Sequence, residues 1–338
     1  MIDKVLVTGA AGFIGYHLSM KLMQEGAHVV GIDNMNDYYD IGLKISRKKK
    51  LIDFKKSKKV NFNFKEMDIN EFGSLKRLFK ENDFNIVVNL AAQAGVRYSI
   101  NSPFSYGASN LSGFLNILEC CRAHNLSHFI FASSSSVYGL NDHIPFSEEH
   151  KTDHPISLYA ATKKSNEVMA HAYSHLYKIP TTGLRFFTVY GPFGRPDMAY
   201  YKFTKAILEG NPIHLFNNGV MKRDFTYIDD IIESIFRLMP KPPTSAHGAL
   251  SSTESYFRLL NIGNNQPVKL SEFIKTIERS IGKNAKKVNL PMQPGDVPTT
   301  FADIDNLVEI TGYRPKTTIQ EGINNFVKWY KNYFGNAI

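Results

Sequence analysis

A chain of 338 residues that is 43% hydrophobic can bury a large core and suggests two domains, which excludes a disordered or low-complexity protein. Its formal charge of +9 invites a nucleic-acid reading, but many of the positives crowd into one segment from Lys44 through Arg47, Lys48, Lys49, Lys50, Lys55, Lys56 and Lys58 to Lys59. No aromatic pattern for base stacking accompanies them, so the run reads as one solvated helix and turn, with a nucleic-acid or anionic-membrane patch as the alternative.

In chain order, residues 4–8 predict a buried strand and residues 13–25 a helix that closes at Gly26. Entry into an apolar strand at Val5 leaves no room for a signal peptide, and no run approaches the ~18 apolar residues of a membrane span. Residues 27–32 predict a second strand, followed at once by Asp33 and Asn34. Further apolar runs at 60–64, 86–90, 128–132 and 181–187 alternate with helical stretches, as expected of an α/β, doubly wound parallel (Rossmann) sheet. The only cysteines, Cys120 and Cys121, are adjacent in a helical stretch and offer neither a disulfide framework nor metal-ligand spacing, so the expected compartment is the cytoplasm. Beyond Phe187, Gly191, Pro192, Gly194, Pro196, Pro212, Pro240, Pro242 and Pro243 break the pattern. Residues 1–187 are therefore expected to form one domain and residues 188–338 a smaller, partly interleaved α/β domain.

Three motifs carry chemistry. The first is Gly9, Gly12 and Gly15, with Phe13 and Ile14 opening the helix between them. Glycine lets backbone approach a pyrophosphate, and the helix N-terminus favours that anion. Asp33 at the end of the second strand can accept from both adenine-ribose hydroxyls and would repel a 2′-phosphate, which favours NAD over NADP. A tight turn without a ligand is the bland alternative, and the strand, helix and Asp33 around the motif weigh against it. The second motif, Tyr159 and Lys163, places a phenol and an ammonium on one helix face; a fixed cation favours the phenolate and makes Tyr159 a candidate acid and base. Such a pair also arises by accident on amphipathic helices. The third, Ser133 to Ser136, offers hydroxyls at the carboxyl end of the 128–132 strand, or else a polar loop capping it.

With these signatures, and with residues 91–99, 185–198 and 223–230, nearly the whole chain resembles the NAD-dependent nucleotide-sugar epimerases and dehydratases of the extended short-chain dehydrogenase/reductase kind. It looks closest to the UDP-glucuronate 4-epimerases. The resemblance implies that Asp68, Ile69, Leu90, Ala91, Ala92, Gln93 and Ala94 contact the cofactor and that Phe187 lies near the nicotinamide. It puts Ser134 beside Tyr159, Arg97 and Thr188 among the substrate contacts, and Phe216, Arg223 and Asp296 at the uridine diphosphate. It also implies a homodimer through the Tyr159 helix and a preceding one over residues 105–124. Dehydratases and decarboxylases resembling this chain carry acids where it has Ser135 and Ser136, so simple oxidation and re-reduction at C4 is the chemistry expected. Arg195 could fork onto a sugar carboxylate, with Ser135 and Ser136 adding donors; a salt bridge is its alternative role. A UDP-galactose or UDP-N-acetylhexosamine 4-epimerase remains the rival, and a non-catalytic NAD-binding scaffold a remoter one. No nucleic acid, membrane insertion or metal is expected.

Overall fold

The structure, a computed structural model, describes residues 2–244, 256–292 and 299–335. Six strands arise in the first half: β1 (Lys4–Thr8), β2 (His28–Asp33), β3 (Phe62–Glu66), β4 (Ile86–Asn89), β5 (His128–Ser134) and β6 (Thr181–Phe186). They are followed in the second half by β7 (Thr188–Tyr190), β8 (Pro212–Leu215), β9 (Lys222–Tyr227), β10 (Phe257–Ile262), β11 (Pro267–Lys269) and β12 (Lys286–Asn289). The main sheet is seven-stranded and wholly parallel, in the order β10-β6-β5-β4-β1-β2-β3. The order reverses between β1 and β4, which opens the crevice at their carboxyl ends where such sheets bind ligands.

The sheet is buried on both faces, so its central strands carry continuous apolar runs. Val5 and Val7 of β1 join one core cluster and Leu6 the other, as alternation along a strand requires. The sequence foresaw six strands; the seventh, β10, comes from beyond residue 188 and pairs with β6 from Phe257↔Thr181 to Ile262↔Phe186. The rest of the second half supplies a three-stranded sheet, β11-β9-β7, and a parallel pair, β12-β8, with helices Ala199–Glu209, Leu270–Ile281 and Ile319–Phe334 packed about them. Among the described residues no helix is long and apolar enough to cross a membrane.

Two expectations change here. The basic helix, Ile41–Lys58, is not solvated throughout: Lys44 and Arg47 are buried, on the face shared with Leu43 and Leu51. Both long side chains reach polar partners inside, which is what makes their burial tolerable. The stretch expected as one helix over 105–124 is divided into Pro103–Tyr106, a π-helical turn Gly107–Ser112 and Gly113–Arg122.

Candidate active site

One cleft runs along the carboxyl ends of the main sheet and on between the two halves of the chain. At its first end the chain leaves β1 into a loop whose Gly9 has φ 69° and whose Gly12 N–H donates to the Gly9 carbonyl at 2.8 Å. A Cβ on Gly15 would stand 2.1 Å from that same oxygen, so only glycine lets the helix Phe13–Gln24 start here. No side chain caps its N-terminus, leaving the first N–H groups and the dipole to an anion.

Asp33 is buried at the end of β2, its Oδ2 accepting from the Ala11 N–H at 3.1 Å and its Oδ1 from the Met35 N–H at 2.9 Å. Oδ2 keeps a lone pair for a ribose hydroxyl. Lys44 Nζ lies 3.4 Å from Oδ1 and donates to Asn36 at 2.8 Å. Asn34 donates to Asp68 at 2.8 Å, tying β2 to the turn after β3. Burial would raise the Asp68 carboxyl, but donation from Asn34 and Asn70 outweighs it and draws it down. Ile69 and residues Leu90 to Ala94 wall the same end of the cleft; Asp68 does not line it and reaches it only through Asn34, which does.

Asn110, in the π-helical turn, was missed by sequence reasoning. Its Oδ1 accepts from the Gln93 N–H at 2.8 Å while its Nδ2 donates to the Gln93 carbonyl at 3.0 Å and to Thr162 at 3.0 Å. It thereby fastens the Leu90-to-Ala94 loop to the helix Leu158–Tyr177 that carries Tyr159. A widened turn at a functional site is a known pattern, but sequence gives no sign of it.

That helix starts where the Ser157 side chain accepts from the Ala160 N–H. Tyr159 faces the cleft at its first turn, with Ser134 as side-chain hydrogen-bond partner. Burial raises the phenol's pKa, while Ser134 and Arg195 pull it down and Asp197 pushes it up. Lys163 lies one turn on, but its ammonium donates to the Ala132 carbonyl at 2.9 Å, and burial pushes its pKa down to about 8 against Glu167. Sequence assigned the tuning to Lys163 together with a bound nicotinamide ring; in the protein itself Ser134 and Arg195 are the groups that lower the phenol's pKa. Beneath them Glu167 grips Arg185 at 2.8 and 2.9 Å and accepts from Ser133 at 2.6 Å, so Ser133 is used inside the fold. Ser134, Ser135 and Ser136 remain on the cleft, as do Phe187 and Thr188.

At the far end Arg97 lies over the Phe216 ring at 4.6 Å, and Arg223 lines the cleft beside them. Asp296 lies outside the described residues. Arg195 takes up the alternative role, a salt bridge, its fork closing on Asp197 with Nε to Oδ1 at 3.0 Å and Nη2 to Oδ2 at 2.5 Å. Two residues apart across Pro196, the pair forms as soon as the loop turns. Burial would favour a neutral Arg195, but Asp197 holds it protonated. Tyr38, also missed, donates to Asp197 at 3.3 Å and leads a row of rings through Tyr98 (4.7 Å) and Tyr106 (6.3 Å) to Tyr159 (6.0 Å).

Among the described residues that line the cleft, the carboxylates are Asp33 and Asp197, both already paired. No three His, Cys, Asp or Glu side chains among the described residues converge as a metal site. The arrangement can seat a dinucleotide at one end and exchange a single proton through Tyr159, and among the described residues it offers no unpaired acid beside it.

The model of the GDP-mannose 4,6 dehydratase family matches residues 6–326. The chain is 52% identical over 337 residues to protein CapI of Staphylococcus aureus, covering 98% of this chain and 99% of that one. It is 48% identical over 337 residues to UDP-glucuronate 4-epimerase 4 of Arabidopsis thaliana, covering 98% of this chain and 76% of the other. Its fold is similar to that of UDP-glucuronic acid 4-epimerase from Bacillus cereus, solved with UDP-glucuronic acid and NAD, at a TM-score of 0.85 and 34% identity, covering 98% of this chain and 99% of that one.

Proposed function

The chain belongs to the GDP-mannose 4,6 dehydratase family, among the NAD-dependent epimerases and dehydratases, and from that premise we propose that it interconverts UDP-glucuronate and UDP-galacturonate by epimerisation at C4. The enzyme is an isomerase with NAD as its recycled cofactor. The observation that carries this within a family named for a dehydratase is that no unpaired acid stands beside Tyr159 among the described residues: serines stand at 135 and 136, and both carboxylates of the described cleft lining are paired. Elimination and decarboxylation need such a proton donor; reversible oxidation of one hydroxyl does not.

When bound, NAD would supply reversible hydride transfer at C4. In our reading the glycine loop and the uncapped helix hold the diphosphate, and Asp33 holds the adenine ribose. Tyr159 as phenolate takes the C4 hydroxyl proton, Ser134 donates to the same oxygen, and Lys163 supports the phenolate across one helical turn. The 4-keto sugar then turns over, and Tyr159 returns its proton. Arg97, Phe216, Arg223 and Asp296 are proposed to hold the uridine diphosphate throughout, so that only the sugar moves. Thr188, Ser135 and Ser136 offer donors to the carboxylate, with Arg195 behind them; because Asp197 shares that guanidinium, the carboxylate is held loosely enough to rotate. The dinucleotide is assigned to residues 1–187 together with β10, and the nucleotide sugar to the remainder of 188–338 with Arg97, Ser134, Ser135, Ser136 and Tyr159 reaching it from the first half.

Two finer points belong to the same proposal. Exposed apolar side chains on the segments expected at a dimer interface, Phe104 just before and Leu115 within the divided 105–124 stretch, and Leu158, Val168 and Leu176 on the Tyr159 helix, support a homodimer, which light scattering on the eluting peak tests. Buried, unbridged Cys120 and Cys121 suit the cytoplasm. The function itself is tested by incubating purified protein separately with UDP-glucuronate, UDP-glucose and UDP-N-acetylglucosamine and resolving the products. UDP-galacturonate from the first, and an Arg195→Ala variant impaired on the uronate more than on UDP-glucose, is the expected outcome. Faster turnover of a neutral sugar, or substantial pentose release, refutes the assignment.

A further inference from the structure

The loop that brings Arg195 and Asp197 to the cleft is held from the cofactor side through three successive carbonyls. His17 Nε2 lies 2.9 Å from the Pro192 oxygen, and Arg47 Nη2 donates to the Phe193 carbonyl at 2.6 Å and to that of Gly194 at 3.4 Å. Burial pushes the His17 pKa down to about 4, so the ring is neutral and Nε2 carries the proton it donates. Phe193 is left-handed, with φ 57°, a conformation disfavoured for a residue with a Cβ and sustained only when its surroundings hold it. Its ring is wedged between Tyr16 at 5.1 Å and Trp329 at 5.0 Å.

The same Arg47 guanidinium reaches the other way. Its Nη1 donates to the Ala11 carbonyl, inside the glycine loop, at 2.9 Å and to the Tyr39 hydroxyl at 2.6 Å. The side chain is fully buried, and no carboxylate among the described residues pairs with it. A buried cation in this position is stabilised by the carbonyl dipoles of two loops at once, and therefore favours the one spacing at which both can reach it. Lysine could not do this, because a point charge has no pair of splayed amino groups.

We propose that Arg47 is a positioning residue that fixes the distance between the glycine loop and the Arg195 loop, so that cofactor seating and sugar capture are set by one guanidinium. Its sugar end rests on the function proposed above; its cofactor end does not. The test uses Arg47→Lys, which keeps the charge and loses the fork, and Tyr39→Phe, which removes one bond without emptying the site. Exchange of bound NAD with labelled NAD reads the Ala11 end without any turnover, and KM for UDP-glucuronate, in the parent and in an Arg195→Ala background, reads the other.

In Arg47→Lys, NAD exchange should quicken roughly tenfold and uronate KM rise roughly tenfold with a smaller change in kcat, as expected for lost bonds to a charged donor. The KM effect should largely vanish in the Arg195→Ala background, since both changes act through one loop. If a folded Arg47→Lys leaves either reading unchanged, or if its KM effect adds fully to that of Arg195→Ala, the inference is wrong. Should that variant not fold, Tyr39→Phe must give the same pattern at roughly threefold, and no change in NAD exchange or KM overturns the proposal. A parent protein that turns over no uronate refutes the proposed function instead, and NAD exchange then decides whether Arg47 holds the glycine loop.

Discussion

Replacing Glu167 by Gln would keep the side chain's shape and remove the carboxylate that faces the buried Arg185. Both oxygens are in use, one by Arg185 Nε at 2.8 Å and by Ser133 at 2.6 Å, the other by Arg185 Nη2 at 2.9 Å. A Gln amide sets an N–H₂ against a donor and leaves the guanidinium without its counter-charge, where neither side chain is more than 3% exposed. Removing one partner of such a buried pair costs about 3–5 kcal/mol. For 338 residues the unfolding entropy is roughly 0.7 kcal/mol/K, so Tm should fall by about 4–7 °C. Scanning calorimetry at neutral pH measures this, alongside Arg185→Met and the double variant. The double variant should regain part of the loss, because no unpaired charge is then buried. A Glu167→Gln protein melting within about 1 °C of the parent, or a double variant that loses the sum of the single effects, would refute this account of the pair.

Tyr159→Phe should lower kcat at least ~100-fold while NAD content is unchanged, since it removes only the proton carrier; retained turnover would relocate the chemistry. Gly15→Ala should yield folded protein that purifies with little NAD, because the new Cβ must push aside the Gly9 carbonyl, and a normal NAD content by absorbance would contradict the loop geometry. Lys163 adds a pH effect. Its pKa in the folded chain, pushed down to about 8 from 10.5, means that between those values the unfolded chain binds more protons, so this group makes stability rise with pH across that window. Tm measured from pH 8 to 10 should therefore climb more steeply in the parent than in Lys163→Met, and equal slopes would argue against a desolvated ammonium.

The central strands were legible because parallel strands buried on both faces must be apolar throughout, as Val5 to Val7 and Val87 to Val88 are. β10 was missed because its partner, β6, is chosen by tertiary packing and not by any neighbouring segment. Lys44 and Arg47 were misread because a charge run was counted by composition and not by face. Leu43, Arg47 and Leu51 recur every fourth residue, which was the available signal that one side of the helix turns inward. The glycine loop, Asp33 and Tyr159 stood out since their chemistry is tied to short spacings. Tyr38, Asn110 and Asp197 did not, because their roles come from meeting across long separations or, for Asp197, from a loop turn that sequence does not specify.

The late arrival of β10 also bears on how the protein is made. When β6 leaves the ribosome its outer edge has no partner, and at ordinary rates of synthesis about seventy further residues, roughly 4–14 s, separate it from Phe257. During that interval the cofactor sheet ends in an open, apolar edge, the kind that recruits other chains. A fragment cut at residue 187 would keep that edge permanently, so the cofactor sheet is completed only when the second half of the chain is present.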